Sequence, residues 1–547
     1  ETRGWYVFDT LTAAADAAQV DVRAYLDREG VSYQAFWAQN VIAVTGATRA
    51  DFEGLFTFTE IDALRVNAEV SLVEPVESVE AVAAQADRAV ASNLLHINAD
   101  DAWALGYTGA GLVVGSIDTG VRYTHEVLLG QYRGNLGGGA FDHNYNWWDA
   151  VNEQTVAYDD HGHGSHTTGI MVGDDGGSNQ IGIAPGAEWI ACKAIESNGS
   201  GYAADLLACG QFMLAPTDLE GNNANPDLRP QVVNNSWGDC GRTYDDWYES
   251  TITAWEAAGI YPVFANGNAT NCGYSQPPGL GTVGNPARGY NVTGVGSTGL
   301  DNGEYAVHSN WGPTDSLDTL NPNGYPDLKP QVVAPGVTIR SAMATSDSSY
   351  ASMTGTSMAA PHVAGLVTLM WEAGTCLLGD YIQTETLLQE SATPIPYDTG
   401  SGEVSPNYAT GWGEIDALQA VLAAKEYCGD AALVGMVTDS TTSQPIVGAT
   451  VTALAQGNPE NDRQVRTDAD GKYIAPVHSG ETFDLTASAY GYYDQSVGDV
   501  FVPLPGDEIE NNFSLDPKTP VTLSGTVTDG SGQGYPLYAQ LDRKSVG

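Results

Sequence analysis

Short apolar runs alternate with helical patterns through the central part of the chain. Leu112–Ile117, Val232–Asn234 and Tyr261–Ala265 are apolar enough for buried strands, and each is followed by small or polar residues and then by helical sequence. Over residues 94–428 this alternation predicts an α/β fold with a parallel sheet and helices on both faces. In such a sheet the active site lies at the carboxyl ends of the strands.

The first part of the chain has a different pattern, which mixes helix and strand signals. Val41–Val44 and Val66–Val73 favour strands. Thr48, with Asp51 three residues later, is typical of a helix start. Residues 1–75 are therefore predicted to form a small α+β domain.

The remaining segments are a linker and an all-β region. Residues 76–93 are rich in Ala, Val and Glu and lack turn signals, which predicts a linker. After residue 428 short strands are separated by Gly, Pro and Asp turns, so residues 429–516 are predicted to be all-β. Gly435–Asp439 recurs as Gly525–Asp529, and residues 517–547 are predicted to be the start of a further, truncated β module.

Charge and hydropathy narrow the range of partners. The chain has 21 basic and 68 acidic residues, a net charge of −47, whereas nucleic-acid binding requires clustered Lys and Arg. No apolar run is long enough to cross a membrane, and the chain does not open with the basic region and apolar region of a signal peptide, as expected if such a peptide has been removed or left out. We expect a secreted protein that charge repulsion keeps in solution, without a nucleic-acid or membrane partner and monomeric. The same acidic composition is also typical of proteins from salt-adapted organisms, and the sequence does not choose between the two explanations.

The six cysteines suggest an oxidising environment. No CxxC pair is present, so a zinc or thioredoxin-type site is not expected, and an even number favours disulfides over the alternative of six free thiols. Cysteines that are neighbours in sequence pair most easily within one βα region. The predicted pairs are Cys192–Cys209, Cys240–Cys272 and Cys376–Cys428.

Three segments bring together an acid, a histidine and a serine. They are Gly115–Gly120, which ends an apolar strand with Asp118, His163–Gly169, and Gly355–Gly365, in which Ser357 precedes an apolar helix. A serine hydroxyl is a weak nucleophile and needs an adjacent base, which histidine supplies near neutral pH. A carboxylate then fixes the imidazole tautomer and stabilises the imidazolium. The start of the helix directs N–H groups toward a developing oxyanion.

These segments resemble the Asp, His and Ser motifs of the subtilisin-like serine proteases, in the same chain order. The resemblance implies the subtilisin-like α/β fold, peptide-bond hydrolysis without a catalytic cofactor, and a catalytic triad of Asp118, His163 and Ser357. Tyr145–Asp149 is similar to the bacillopeptidase F-like branch of the family. Phe264–Asn268 resembles the stretch that carries the oxyanion-hole asparagine, which implies that role for Asn268.

The resemblance also implies where substrate binds. Ser236, Trp237 and Gly238 match the edge strand that pairs with the substrate backbone. Thr282–Pro286 resembles the base of the specificity pocket, where Gly284 leaves room and no charge. We therefore expect an apolar or aromatic residue before the cleaved bond.

Some residues allow other interpretations. His161 and His166 flank His163, and the register of the motif is what favours His163 as the base. Asn268 stands in a sequence typical of a turn. Asp174–Asn179 offers oxygen ligands for a structural calcium ion, although a solvated surface turn explains the same residues; no metal ligands are assigned.

Residues 1–75 are similar to the inhibitory propeptides of the family, and residues 429–516 to carboxypeptidase regulatory-like β-sandwiches. The propeptide resemblance implies that Leu72–Pro75 lies in the cleft as an added strand. Pro75 disfavours a cut at its own bond, so self-activation is expected within residues 76–93. The chain is thus predicted to be a secreted serine endopeptidase made as a self-processing zymogen, acting on protein or peptide substrates. The alternative is a non-catalytic surface adhesin on a protease scaffold.

Overall fold

The computed structural model describes residues 2–81, 89–299, 303–317, 325–400, 402–468 and 470–519. The chain divides into two compact units, residues 1–428 and residues 429–547. The first unit begins with these elements: α1 Thr2–Glu29, β1 Ser32–Phe36, β2 Val41–Thr45, α2 Arg49–Leu55, β3 Glu69–Leu72, β4 Glu77–Ala81 and β5 Ala89–Val90.

The N-terminal elements follow local signals in the sequence. β1 and β2 form an antiparallel hairpin. α2 starts at a capping box, in which the Thr48 side chain accepts from Asp51 N and the Asp51 carboxylate accepts from Thr48 N. The predicted linker begins as a strand, because β4 pairs antiparallel with the strand Tyr350–Thr354. Residues 82–88 lie outside the described residues.

The remaining strands of the first unit include those of the predicted parallel sheet. They are β6 Val113–Asp118, β7 Asn135–Gly137, β8 Ala140–Phe141, β9 Trp147–Asp149, β10 Asn179–Gln180, β11 Glu188–Lys193, β12 Ser200–Tyr202, β13 Val232–Asn235, β14 Trp237–Gly238, β15 Tyr261–Ala265, β16 Thr293–Thr298, β17 Val332–Pro335, β18 Ile339–Ala342, β19 Tyr350–Thr354, β20 Tyr397–Asp398 and β21 Glu403–Val404. Seven of them form one parallel sheet in the order β17-β16-β15-β13-β6-β11-β9. The predicted parallel sheet is confirmed.

Helices cover this sheet. They are α3 Ser92–His96, α4 Ala99–Ala104, α5 His163–Val172, α6 Ala203–Leu214, α7 Glu249–Ala258, α8 Thr356–Ala373, α9 Tyr381–Glu390 and α10 Ala417–Cys428. The helix α8 is buried from Thr356 to Trp371, as an apolar surface on all sides requires. It packs against α5 and several sheet strands, and so anchors the residues at its first turn.

The three predicted disulfides are all present, and every cysteine is paired. Cys192–Cys209 joins β11 to α6 within the core, and Cys376–Cys428 joins the region after α8 to the end of α10. Cys240–Cys272 joins two segments that follow β14 and β15.

The second unit is a two-sheet sandwich. Its strands are β22 Ala431–Asp439, β23 Thr450–Ala455, β24 Arg463–Arg466, β25 Lys472–Val477, β26 Thr482–Ser488, β27 Gln495–Phe501, β28 Glu508–Glu510 and β29 Phe513–Leu515. One sheet has β22 between β25 and β28, with β29 also paired to β22, and the other has the order β24-β23-β26-β27. Leu433, Val451, Phe483 and Phe513 belong to the core of this unit. The repeat at residues 525–529 lies outside the described residues.

Candidate active site

The carboxyl ends of three neighbouring strands carry the candidate residues. Asp118 is the last residue of β6, Ser236 follows β13, and Asn268 lies just beyond β15. β13 is hydrogen-bonded to β6 on one side and to β15 on the other. The parallel sheet therefore brings these side chains to one edge, as parallel topology requires.

Asp118 and His163 form a buried pair at this edge. His163 Nδ1 lies 2.8 Å from Asp118 Oδ1 and 3.0 Å from Oδ2. The same carboxylate accepts from Thr119 N at 2.7 Å and from Thr167 Oγ1 at 3.3 Å. With both partners fully or almost fully buried, these contacts fix the orientation of the imidazole.

Burial and the charge of Asp118 act in opposite directions on the pKa of His163. Burial works to lower the pKa of the His163 imidazole, while the Asp118 carboxylate and its hydrogen bond raise it, with a smaller contribution from Glu74. The net result is a pKa of His163 above its ordinary value. An imidazolium is thus better tolerated here than burial alone would allow.

The two flanking histidines have other environments. Burial, with the neighbouring His163, lowers the pKa of His166 to about 3, and its Nε2 lies 3.1 Å from Ala351 O. His161 lies beside the N-terminal part of the chain, with Nε2 3.7 Å from Glu74 Oε1. Of the three histidines, His163 is the one that contacts Asp118.

Ser357 and Asn268 meet at the start of α8. Ser357 is the second residue of this helix, and Gly355 is the residue before the helix begins. Asn268 Oδ1 accepts from Thr356 N at 2.9 Å and from Thr356 Oγ1 at 3.0 Å, which turns the amide nitrogen toward the cleft. An isolated antiparallel β-bridge between Asn268 and Ser309 connects Asn268 to residues 308–310.

The chain's own N-terminal part occupies the cleft. The strand β3 lies between β12 and β14 and is antiparallel to both. Leu72 N donates to Gly199 O at 2.9 Å and Val73 N to Ser236 O at 3.1 Å. Strand addition at this position was predicted for Leu72–Pro75; the strand is Glu69–Leu72, and residues 73–75 continue past Ser357.

Two successive carbonyl groups of this segment contact the candidate catalytic residues. Ser357 Oγ donates to Val73 O, and Asn268 Nδ2 donates to Glu74 O at 2.8 Å. Within the part of the chain that the structure describes, His163 Nε2 has no hydrogen-bond partner. The nucleophile and the oxyanion donor therefore bind different residues of the same segment.

The candidate substrate-binding residues Trp237 and Gly238 pair with β3 through their backbone. Trp237 is buried against Tyr248 and Phe264, so its side chain is part of the core. A Cβ on Gly238 would lie 2.6 Å from Asn285 O and 3.9 Å from Val73 Cγ2. The Val73 side chain thus lies close to Gly238.

Gly284 has a packing reason of its own. A Cβ at this position would lie 2.2 Å from Asp239 O. The absence of a side chain at Gly284 lets its backbone approach that of Asp239 closely. Gly284 therefore has a packing role besides placing no charge at the base of the candidate pocket.

Sequence reasoning missed two residues that hold the site together. The Asp159 carboxylate accepts from the backbone N–H groups of His161, Gly162 and Ser165 and so shapes the turn before α5. Lys193 Nζ, fully buried, donates to Thr119 O at 2.8 Å, to Asp160 Oδ1 at 2.7 Å and to Ile195 O at 2.8 Å. Two sequence signals could have pointed to these residues: the acidic pair Asp159-Asp160 just before the histidine motif, and the lone Lys193 at the end of an apolar strand.

The loop that was considered for calcium is closed by its own hydrogen bonds. Asp175 accepts from Gly177 N at 2.7 Å and from Asn179 N at 3.0 Å. Across the described ranges, no group of three or more His, Cys, Asp or Glu side chains could hold a metal ion. A structural calcium ion at this loop stays a prediction.

Comparison with known proteins adds an independent finding. A family model described as "Subtilase family" matches residues 109–413, which is more than half of the chain. The chain belongs to the subtilase family. A second model, "Carboxypeptidase regulatory-like domain", matches residues 432–516 of this subtilase.

The curated relatives include several bacterial proteases. The subtilase is 37% identical over 437 residues to Bacillopeptidase F of Bacillus subtilis, a match that covers 78% of this chain and 29% of the relative. It is 32% identical over 242 residues to the minor extracellular protease Vpr of Bacillus subtilis, covering 43% of this chain and 26% of the relative. This chain therefore spans less than a third of the length of either relative.

A solved structure supports the fold. The crystal structure of fervidolysin from Fervidobacterium pennivorans, a keratinolytic enzyme related to subtilisin, aligns with a TM-score of 0.54 at 18% identity. The alignment covers 90% of this subtilase and 77% of that chain. In the described ranges, none of the helices combines the length and apolar character that a membrane crossing requires.

Proposed function

We propose that this subtilase is a secreted serine endopeptidase, made as a zymogen that processes itself. Asp118, His163 and Ser357 are its catalytic triad, and Asn268 contributes to the oxyanion hole. The observation that carries the proposal is that Ser357 and Asn268 contact the successive carbonyls of Val73 and Glu74, at the sheet edge where the Asp118–His163 pair lies.

The reaction proceeds through an acyl-enzyme. Ser357 Oγ bonds to the substrate carbonyl carbon while His163 Nε2 takes its proton, and the oxyanion accepts from Asn268 Nδ2 and the Ser357 N–H. The carbon–nitrogen bond then breaks, and His163 gives the proton to the leaving amine. Water attacks the ester with proton transfer to His163, the acid is released and Ser357 recovers its proton.

Substrate binds by strand addition. Main-chain contacts like those of β3 support a role for Ser236, Trp237 and Gly238 in pairing with peptide substrates, and Gly284 contributes to the base of the specificity pocket. Val73, an apolar residue against Gly238, supports a preference for apolar residues before the cleaved bond. These steps need no metal or cofactor.

The domain roles follow from this site. Residues 1–75 are proposed as the inhibitory propeptide, residues 76–93 as the linker with the activation cut, residues 94–428 as the peptidase domain and residues 429–516 as an accessory module. Three disulfides and an acidic composition support secretion. The name of the extracellular relative points the same way.

Covalent labelling tests the proposal. After removal of residues 1–75, a fluorophosphonate probe should label one peptide, which contains Ser357, and the labelled protein should no longer hydrolyse casein. The Ser357→Ala variant is the control and should take up no probe. An unlabelled parent without hydrolytic activity would instead favour the non-catalytic adhesin.

A further inference from the structure

We take one wall of the proposed specificity pocket to be Ser236–Gly238, after β13, and the other to be the turn Asn266–Asn268, after β15. A disulfide outside the central sheet joins the continuations of these two walls. Asn235 and Ala265 end the adjacent strands β13 and β15. Beyond β13 the chain forms β14, which pairs with β3, and beyond β15 it forms the turn that carries Asn268. Cys240 and Cys272 connect these two continuations, with a Cα–Cα distance of 5.3 Å.

Each cysteine is rigidly connected to a wall residue. Cys240 follows Gly238 and Asp239, and the Asp239 segment exchanges main-chain and side-chain hydrogen bonds with Asn285 beside Gly284. On the other wall, Asn271 N donates to Asn268 O at 3.1 Å and Cys272 N to Ala269 O at 3.3 Å. A shift of either cysteine would therefore move its pocket wall.

The disulfide has no role in filling the core. Cys240 is exposed and Cys272 partly exposed, whereas Cys192 and Cys209 are fully buried. The Tyr274 hydroxyl donates to Cys240 O at 3.1 Å and is a second, non-covalent link between the same two segments. Removing the Cys240–Cys272 bond should hence loosen the walls while leaving the fold in place.

We propose that the Cys240–Cys272 disulfide is a specificity-determining clamp that fixes the width of the pocket for the residue before the cleaved bond. This inference rests on the proposed peptidase function. Val73, the residue at the pocket wall, has a side chain of moderate size. With the clamp closed, peptides with Val or Leu at this position fit; with the clamp open, the pocket widens and Phe gains relative to Val. The cysteines are positioning residues, since they act through the walls.

The test compares two cysteine pairs in the processed enzyme. Cys240→Ser/Cys272→Ser removes the clamp, and Cys376→Ser/Cys428→Ser removes a disulfide at the far end of α8. The measured quantity is kcat/KM for three peptides that differ only in Val, Leu or Phe before the cut. We expect the Phe-to-Val ratio to rise about five-fold in the clamp variant, within the range that pocket fit supplies, and to stay within about two-fold of the parent in the control.

A second measurement covers a clamp variant that does not fold. Mild reduction of the parent, with mass spectrometry to verify that Cys240 and Cys272 alone are free, should raise the same ratio. An unchanged ratio after selective loss of the bond would overturn the clamp, as would an equal rise in the control. A parent that cleaves none of the three peptides would overturn the proposed function itself, whereas an active parent with an unchanged ratio overturns only the clamp.

Discussion

Ser357 donates the hydrogen bond of its hydroxyl to the main-chain carbonyl oxygen of Val73. The proposed nucleophile is therefore bound to the N-terminal part of the chain, while the Nε2 atom of His163 has no hydrogen-bond partner among the described residues. Peptide hydrolysis requires that one carbonyl carbon face the nucleophile while its oxygen faces the oxyanion donors. Here Asn268 holds the next carbonyl, that of Glu74, so the bound segment fits an inhibitor better than a substrate.

The first prediction concerns the nucleophile. Ser357→Ala should lower kcat on a peptide substrate by about a million-fold, the loss known for subtilisin when its nucleophile is removed. The fold should persist, because the hydroxyl makes one contact while the rest of α8 stays buried. Ser348→Ala, at an exposed serine, is the control and should keep full activity. A Ser357→Ala enzyme within ten-fold of the parent would show that another residue attacks.

The second prediction concerns the oxyanion donor. Asn268→Ala removes an amide N–H aimed at the carbonyl position, so kcat should fall by about a hundred- to a thousand-fold with little change in KM. Asn271→Ala changes an exposed residue of the same turn and should leave both constants unchanged. Equal kcat values for the two variants would place the oxyanion donor elsewhere. The substrate for both is the peptide that the parent cleaves best.

The third prediction concerns the charge of His163. Apart from burial, which lowers the pKa of His163, the Asp118 carboxylate raises it most and Glu74 adds to the increase. In full-length Ser357→Ala protein, which should remain uncut, Glu74→Gln should therefore lower the pKa of His163, as measured by NMR of the imidazole. Glu77→Gln is the control, since Glu77 is not among the groups that raise this pKa. A pKa that stays constant in Glu74→Gln would contradict the assigned cause.

The same shift has a consequence for stability. Because the pKa of His163 is higher in the folded chain than in the unfolded chain, where it is about 6.5, the folded state binds the proton more tightly. The contribution of His163 protonation to the free energy of unfolding is fully present below the pKa of the unfolded chain and is lost as pH rises through the pKa of the folded chain. In denaturant titrations, Glu74→Gln should lower the free energy of unfolding at acidic pH and have less effect on it at a pH above the folded pKa of His163.

Much of this architecture could be predicted because each local signal agreed with the global fold. The apolar run Tyr261–Ala265 coincides with β15, and the helix predicted after Ser357 is α8. The histidine motif correctly paired His163 with Asp118 in space, since a strand end and a helix start meet at the sheet edge. These features depend on nearest neighbours in sequence and on the parallel topology.

Contacts between distant segments could not be predicted in detail. Alternation around Val66–Val73 indicates a strand but does not select β12 and β14 as its partners. The contact of Lys193 with Thr119 O and Asp160 depends on how three loops converge. The split of Ser357 and Asn268 between two carbonyls is set by the local path of residues 73–75, for which no sequence pattern exists.

The last prediction concerns maturation. In the structure the peptide bonds nearest to Ser357 are Val73–Glu74 and Glu74–Pro75, and neither carbonyl contacts both Ser357 and Asn268. Cleavage therefore requires the segment to shift, and the predicted cut lies in the continuation of the chain, which pairs with β19 as β4. We keep the predicted cut within residues 76–93, made by the chain on itself. Its rate should be independent of protein concentration, and Ser357→Ala protein from a protease-deficient host should stay full length, as read by intact mass and N-terminal sequencing. Normal processing of that variant would show that another enzyme activates the zymogen, and a new N-terminus at Glu74 would show that the bond already bound at Ser357 is the one cut.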